Sequence, residues 1–261
     1  MTDGPVTDGP VTRPLESDAR TEDLRSRLAA VKNRIERAVV AAGRTDRPGL
    51  IVVTKFFPAE DVLRLAGLGV QDVGENRDQE ASAKAAAAAA AGADLRWHFI
   101  GQLQSNKAKS VVRYARSVHS VDRASLVRAL ARAAAEHRPA DLGPLECWIQ
   151  VDLEAGSGPA TDGGKPGRGG AAAGDVLPLA DAIADADGLV LAGVMAVAPL
   201  GSDPDPAFAR LADVAADLRV AHPSAAGISA GMSADLESAI AHGATHLRVG
   251  SDVLGPRPAV G

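Results

Sequence analysis

Leu50-Ile51-Val52-Val53-Thr54 is a continuous run of apolar and β-branched residues, and Lys55 follows it directly. No polar residue alternates into the run, so the strand it predicts is covered on both faces, as in a parallel sheet. Upstream, Leu24, Leu28, Val31, Ile35 and Val39 recur at helical spacing and predict an amphipathic helix from Thr21 to Ala42, stopped by Gly43. Downstream, Pro58 opens a helix through Leu68, and Val70 to Val73 is a short second strand. An Ala-rich helix covers Arg77 to Ala91, and Arg96 to Ile100 is a third strand. Ser105 is expected to cap a helix to Val112, ahead of a strand from Ser117 to Val121. Asp122 is expected to cap the next helix, to His137.

The rhythm continues to the end of the chain. Leu145 to Leu153, Leu189 to Val197, Gly227 to Ser229 and His246 to Val249 read as strands. Between them lie helices over Asp175 to Asp187, Asp205 to Ala221, and Ser233, as a cap, to His242. Strands thus alternate with helices about eight times, the signature of a parallel α/β fold. Eight units in 261 residues suit a single closed (β/α)8 TIM barrel, usually of roughly 250 residues, better than an open doubly wound sheet. Residues 1–19 contain Thr-Asp-Gly-Pro at 2–5 and again at 7–10 and are expected to be a disordered tail. The barrel domain is placed at 20–261, with the Gly-, Pro- and Ala-rich segment 155–174 as a flexible loop or insert.

Composition removes several classes of function. A net charge of −5 lacks the basic face that a nucleic-acid partner requires. The single cysteine, Cys147, sits in the apolar stretch Leu145–Ile149 and reads as packing, and no His–Cys grouping suggests a metal. The longest apolar run, Leu189 to Pro199, is shorter than the about 20 residues of a membrane span. The N-terminus lacks the basic start and apolar core of a signal peptide, so a cytoplasmic protein is expected.

Barrel chemistry sits at the C-terminal ends of the strands, so the polar residues after each apolar run are the candidates. Lys55 emerges from an apolar wall, where desolvation favours the neutral amine that attacks aldehydes; the plain alternative is a lysine reaching solvent. Gly74-Glu75-Asn76 follows the second strand, with Asn76 either a hydrogen-bond donor to a ligand or a helix cap. His98 is either a satisfied core histidine or a pocket group. Ser229, Gly231, Gly250 and Ser251 follow the seventh and eighth strands, where many barrels bind phosphate. Arg248 either points across the barrel mouth or pairs with a carboxylate.

These pieces together resemble one family. Val53-Thr54-Lys55 with Pro58, Gly74-Glu75-Asn76, Trp97-His98-Phe99-Ile100-Gly101, Leu103-Gln104-Ser105-Asn106-Lys107, Gly193-Val194-Met195, Ser229 to Asp235 and Arg248-Val249-Gly250-Ser251 occur in order. In this the chain is similar to the pyridoxal phosphate homeostasis proteins, of YggS or PROSC type, whose fold resembles the N-terminal domain of alanine racemase. The resemblance implies that pyridoxal 5′-phosphate (PLP) is held as an imine on Lys55, with Asn76 near the ring and Arg248 facing the pyridine nitrogen. It implies a phosphate held by Ser229, Gly231, Gly250 and Ser251, and a pocket lined by His98 and Met195. The function it implies is intracellular PLP, or vitamin B6, homeostasis: a non-catalytic carrier, with apo-PLP enzymes as potential recipients. The alternative is a PLP-dependent racemase-like enzyme. Racemisation needs acid/base groups on both ring faces. The racemase tyrosine belongs to a β-domain that this chain, ending at Gly261, is expected to lack, and Tyr114 is expected at the surface. Without that domain a monomer is expected. Phe57 stands where many members carry a second lysine, and Ser251 replaces their threonine.

Overall fold

A computed structural model of the protein describes residues 18–154 and 169–257. Among the described residues eight strands run parallel and close in sequence order, β8 pairing back onto β1. They are β1 Gly49–Val53, β2 Asp72–Glu75, β3 Arg96–Phe99, β4 Ala115–Val121, β5 Leu145–Gln150, β6 Leu189–Met195, β7 Gly227–Ser229 and β8 His246–Val249. The helices outside the ring are α1 Ala19–Ala41, α2 Ala59–Gly67, α3 Asp78–Ala90, α4 Ala108–Val111, α5 Ala124–His137, α6 Val176–Ala184, α7 Asp205–Ala221, α8 Leu236–Ala241 and α9 Ser251–Leu254. The expected TIM barrel is therefore the observed architecture.

Helix α1 precedes the barrel and buries Leu24, Leu28, Val31, Ile35 and Val39, the residues whose spacing predicts it. Each such side chain contributes about 1.5–3 kcal/mol on leaving water. Asp18 accepts the Thr21 amide at 2.7 Å as the helix cap, so Asp18 and Ala19 belong to α1 and not to the expected tail. Residues 1–17 and 258–261 lie outside the described residues, as does 155–168 of the expected loop. The remainder of that loop is built into the structure. Ala171 forms a parallel bridge with Val151, its amide donates to Gln150 O at 2.7 Å, and Ala173–Asp175 is a short 3-10 turn.

Three expected caps are not observed, because the side chains are taken elsewhere. The Asp122 carboxylate receives Arg123 at 2.6 Å, and the Ser233 hydroxyl accepts that of Ser251 at 3.0 Å. Ser105 lies inside a 3-10 turn preceded by Gln104. Strand β2 also starts two residues later than expected: the Val70 amide donates to Leu65 O at the end of α2, so Val70 cannot join the ladder. Gly74 and Glu75 are thus strand residues.

The barrel interior contains an indole. Gly193 and Gly227 face one another in register on β6 and β7. A Cβ on Gly193 would lie 1.9 Å from Gly227 O, and one on Gly227 would lie 2.5 Å from the Trp148 ring. Gly227 gives the Trp148 ring its place, and Gly193 lets the β6 and β7 backbones approach beside it.

Candidate functional site

A cavity of about 320 Å³ opens at the C-terminal ends of the strands, in the size range of small-ligand sites. Lys55 lies in the turn after β1 and lines it, half-buried. Burial lowers its pKa, the charge of Arg257 lowers it further, and Glu75 opposes both. Phe56, beside it, has φ of 72°, the only positive φ outside glycine among the described residues. Backbone in that region is strained for an aromatic residue and persists only where its surroundings impose it.

Those surroundings are a buried polar network behind β1 and β2. Lys84 of α3 donates from Nζ to Thr54 O at 2.8 Å, Glu75 Oε1 at 2.7 Å and Glu80 Oε1 at 2.7 Å. Thr54 Oγ1 donates to Glu75 Oε1 at 2.6 Å, and the Phe56 amide donates to Glu80 Oε1 at 2.7 Å. The lysine turn is therefore clamped from the helix layer. Burial pushes the Glu75 carboxyl up in pKa, while Lys84 and Thr54 hold it down. Lys84 reads in the sequence as one polar residue in an Ala-rich helix, and nothing in its spacing marks it as buried.

The opposite wall comes from the loops after β7 and β8. Ser233, Gly250 and Ser251 line the cavity, with the two serine hydroxyls in contact. A Cβ on Gly250 would lie 3.0 Å from Val53 O, so glycine lets β8 turn tightly over β1. Arg34 reaches across from α1 and donates to Ser233 O at 2.7 Å and to Asp252 at 2.9 Å, tying both loops together. Arg257 also lines the cavity, its guanidinium 4.6 Å from the centre of the Phe56 ring.

Arg248 borders the cavity from below and is 4% exposed. It donates to Ser229 Oγ at 2.7 Å and Ala196 O at 2.8 Å, with no carboxylate in contact among the described residues. Burial lowers its pKa to about 10, against the opposing charge of Asp235. The other expected residues take different places. Asn76 follows β2 and lines an adjoining cleft, with its buried Oδ1 lacking a partner among the described residues. His98, Met195, Ser229 and Gly231 are buried and do not line the Lys55 cavity. The His98 ring points into the barrel, with Ser117 at 2.7 Å on Nδ1 and Asp72 at 2.9 Å on Nε2. Gly231, at φ of 91°, serves packing: a Cβ there would lie 2.6 Å from that of Ala239. Tyr114 is half-buried and donates to Asp78 at 3.3 Å, so the expectation of a surface tyrosine is corrected; burial raises its pKa.

The model of the alanine racemase N-terminal domain matches residues 26–258. The pyridoxal phosphate homeostasis protein of Mycobacterium tuberculosis is 43% identical over 251 residues, 91% of this chain and 94% of that protein. This chain is a member of the pyridoxal phosphate homeostasis protein family. PipY of Synechococcus elongatus, solved with PLP bound, is 31% identical with a TM-score of 0.70 and covers 89% of this homeostasis-family chain and 100% of its own. Alanine racemase from Corynebacterium glutamicum shares the fold at 14% identity and a TM-score of 0.64, over 92% of this chain and 63% of the racemase. In this homeostasis-family member Phe57, expected from the resemblance to stand where many members carry a second lysine, is buried in the core. The cation over the cavity mouth is instead Arg257, which its position three residues after the last helix did not single out in the sequence.

Proposed function

We propose that the cavity holds PLP covalently through Lys55 Nζ, and that the protein stores and buffers PLP for apo-PLP enzymes without turning over a substrate. The observation that carries this reading is a half-buried lysine of lowered pKa facing a cavity whose far wall is glycine and serine hydroxyl. Bound PLP supplies an aldehyde, and a neutral amine is what condenses with it. The residues present fit that group. Desolvation keeps Lys55 closer to its neutral form, Ser233, Gly250 and Ser251 form a concave wall for a phosphate, and the orphaned Asn76 Oδ1 lies close by.

Arg248 would face the pyridine nitrogen. A guanidinium there keeps that nitrogen unprotonated and weakens the cofactor as an electron sink, which suits storage better than catalysis. Ser229 supports the same site indirectly, through the hydrogen bond that orients Arg248. Tyr114, bound to Asp78 and held protonated, supplies no second acid/base group. We place the protein in the cytoplasm as a monomer; among the described residues no helix is long and apolar enough to cross a membrane.

The test is the absorbance spectrum of purified protein with added PLP, before and after borohydride, followed by peptide mapping. A yellow band reduced to a stable adduct on Lys55 is expected. An adduct on another lysine, or a protein that takes up no PLP, would overturn the anchor. Sustained exchange of amino-acid α-protons in heavy water would overturn the non-catalytic reading.

A further inference from the structure

Below the cavity the barrel interior is polar, and its hydrogen bonds join end to end. Arg248 Nη1 lies 2.7 Å from Ser229 Oγ, and Ser229 Oγ lies 2.9 Å from His119 Nδ1. His119 Nε2 lies 3.3 Å from His98 Nδ1, and His98 Nε2 lies 2.9 Å from Asp72 Oδ1. Asp72 begins β2 at the opposite end of the barrel, where Arg96 grips it at 2.6 Å and 2.7 Å. Side chains from β2, β3, β4, β7 and β8 thus form one line from the cavity floor to the far mouth.

The two ends, a guanidinium that only donates and a carboxylate that only accepts, are compatible with one direction of donation along the whole line. Ser229 Oγ accepts from Arg248, which leaves its own proton available to His119 Nδ1. In that arrangement His119 carries its proton on Nε2 and shares the single lone pair of His98 Nδ1, at 3.3 Å, with the Ser117 hydroxyl at 2.7 Å. His98 carries its proton on Nε2 and donates to a carboxylate that only accepts. Each donor points the same way, the arrangement in which hydrogen bonds polarise one another most. The Trp148 ring stacks on His119 at 4.8 Å and 12°, and Ser117, His119 and Ser229 are fully enclosed. Full burial also disfavours a charged His119.

We infer that this relay couples the buried charge of Arg248 to Asp72 across the barrel, making His98, His119 and Asp72 positioning residues for the guanidinium at the cofactor site. Beyond the charge of Asp235, Arg248 thereby gains a second, distant counter-ion, reached through the imidazoles of His119 and His98, and its cavity-facing edge is left for the ligand. The relay stands on the geometry alone. Its effect on PLP rests on the reading that Arg248 faces the ring.

The first test needs no cofactor. Nitrogen-15 spectra of the imidazoles in the full chain are expected to show His98 and His119 as neutral tautomers with the proton on Nε2. A proton on Nδ1 of either ring, or an imidazolium at either position at neutral pH, would overturn the relay. The second test is Asp72→Asn, which keeps an acceptor but removes the charge and lies far from the cavity. The relay implies PLP affinity weaker by about fivefold and a shifted PLP absorbance band, with Asp72→Glu restoring part of both. Unchanged affinity and spectrum in a folded Asp72→Asn protein would overturn the coupling to the site. A wild-type protein that bound no PLP would overturn the cofactor reading and leave the imidazole result standing.

Discussion

The β1–β2 wall of the cavity is held by buried charge, whereas the β7–β8 wall is held by hydroxyls, glycines and one arginine reaching over from α1. On the first wall Lys84 and Glu75, almost fully buried, fix a strained turn that carries Lys55. On the second wall Ser251 is exposed and its neighbours partly so, leaving the loop backbone close to water. On the proposed function, the difference follows from what each wall would hold. A lysine meant to react must be oriented and partly desolvated, which takes a rigid low-dielectric support. A phosphate stays charged and strongly hydrated until it binds, so a shallow wall that water can fill suits it better.

The largest effect separating the walls is expected from Lys55→Ala. The adduct trapped by borohydride should vanish, while weak PLP binding through the β7–β8 wall remains measurable by equilibrium dialysis. Loss of both would mean that the second wall contributes nothing by itself. Next comes Lys84→Met, which leaves Glu75 buried without its cation. Removing one partner of a buried pair costs about 3–5 kcal/mol, and denaturant unfolding at pH 8 would read it. Unpaired, Glu75 has a folded pKa raised further above its ordinary 4.5, because burial acts without the opposing ammonium. The folded state then binds more protons than the unfolded one. Stability of the variant should therefore fall as pH rises from about 4.5 through the folded pKa, and the deficit should be smaller at pH 5 than at pH 8. A deficit independent of pH would mean that Glu75 is not left charged there.

The second wall was legible in part. Gly250 and Ser251 stand out because glycine and a small hydroxyl residue close an apolar strand, whereas Ser229 and Gly231, singled out with them, lie buried away from the cavity and Ser233 completes the wall. The barrel was legible for the same reason: strands buried on both faces, such as Leu50 to Val53, carry a continuous apolar run that helices interrupt at regular spacing. What stayed hidden depends on which way one side chain turns. His98 reads as a core group or, secondly, as a pocket group, and the difference lies in a rotation, which here turns its ring toward Ser117 and Asp72. Lys84, His119 and Trp148 are single residues whose role exists only when strands far apart in sequence close the ring. Ser233 was read as a cap, since a serine ahead of an apolar run commonly is one; its hydroxyl accepts that of Ser251 within the same wall instead.

A smaller effect is expected on the second wall from Ser251→Ala. A hydrogen bond to a charged group contributes about 1.5–3 kcal/mol, so PLP affinity should weaken by roughly tenfold or more with folding stability nearly unchanged. Gly250→Ala should weaken it by a different route, since a Cβ 3.0 Å from Val53 O forces β8 away from β1 and lowers stability too, by about 1–3 kcal/mol. If Ser251→Ala left affinity intact, the phosphate would have to be assigned to another part of the cavity.

The smallest expected effect joins the two walls, because Arg257 sits at the end of the second and acts on the lysine of the first. Its charge and the burial of Lys55 both disfavour the ammonium, so the folded pKa of Lys55 lies below the ordinary 10.5. Covalent attachment of PLP, followed by stopped-flow absorbance, should therefore keep its rate to lower pH than attachment to a free lysine side chain. Arg257→Ala removes one of the two causes and raises the pKa, which lowers the neutral fraction at pH 8 and slows attachment by about twofold, the size of an exposed charge interaction. Added salt screens the same interaction and should slow the wild-type protein but not the variant. An Arg257→Ala protein that attached PLP at the wild-type rate in both low and high salt would show that burial alone sets the lysine, and that the two walls act independently.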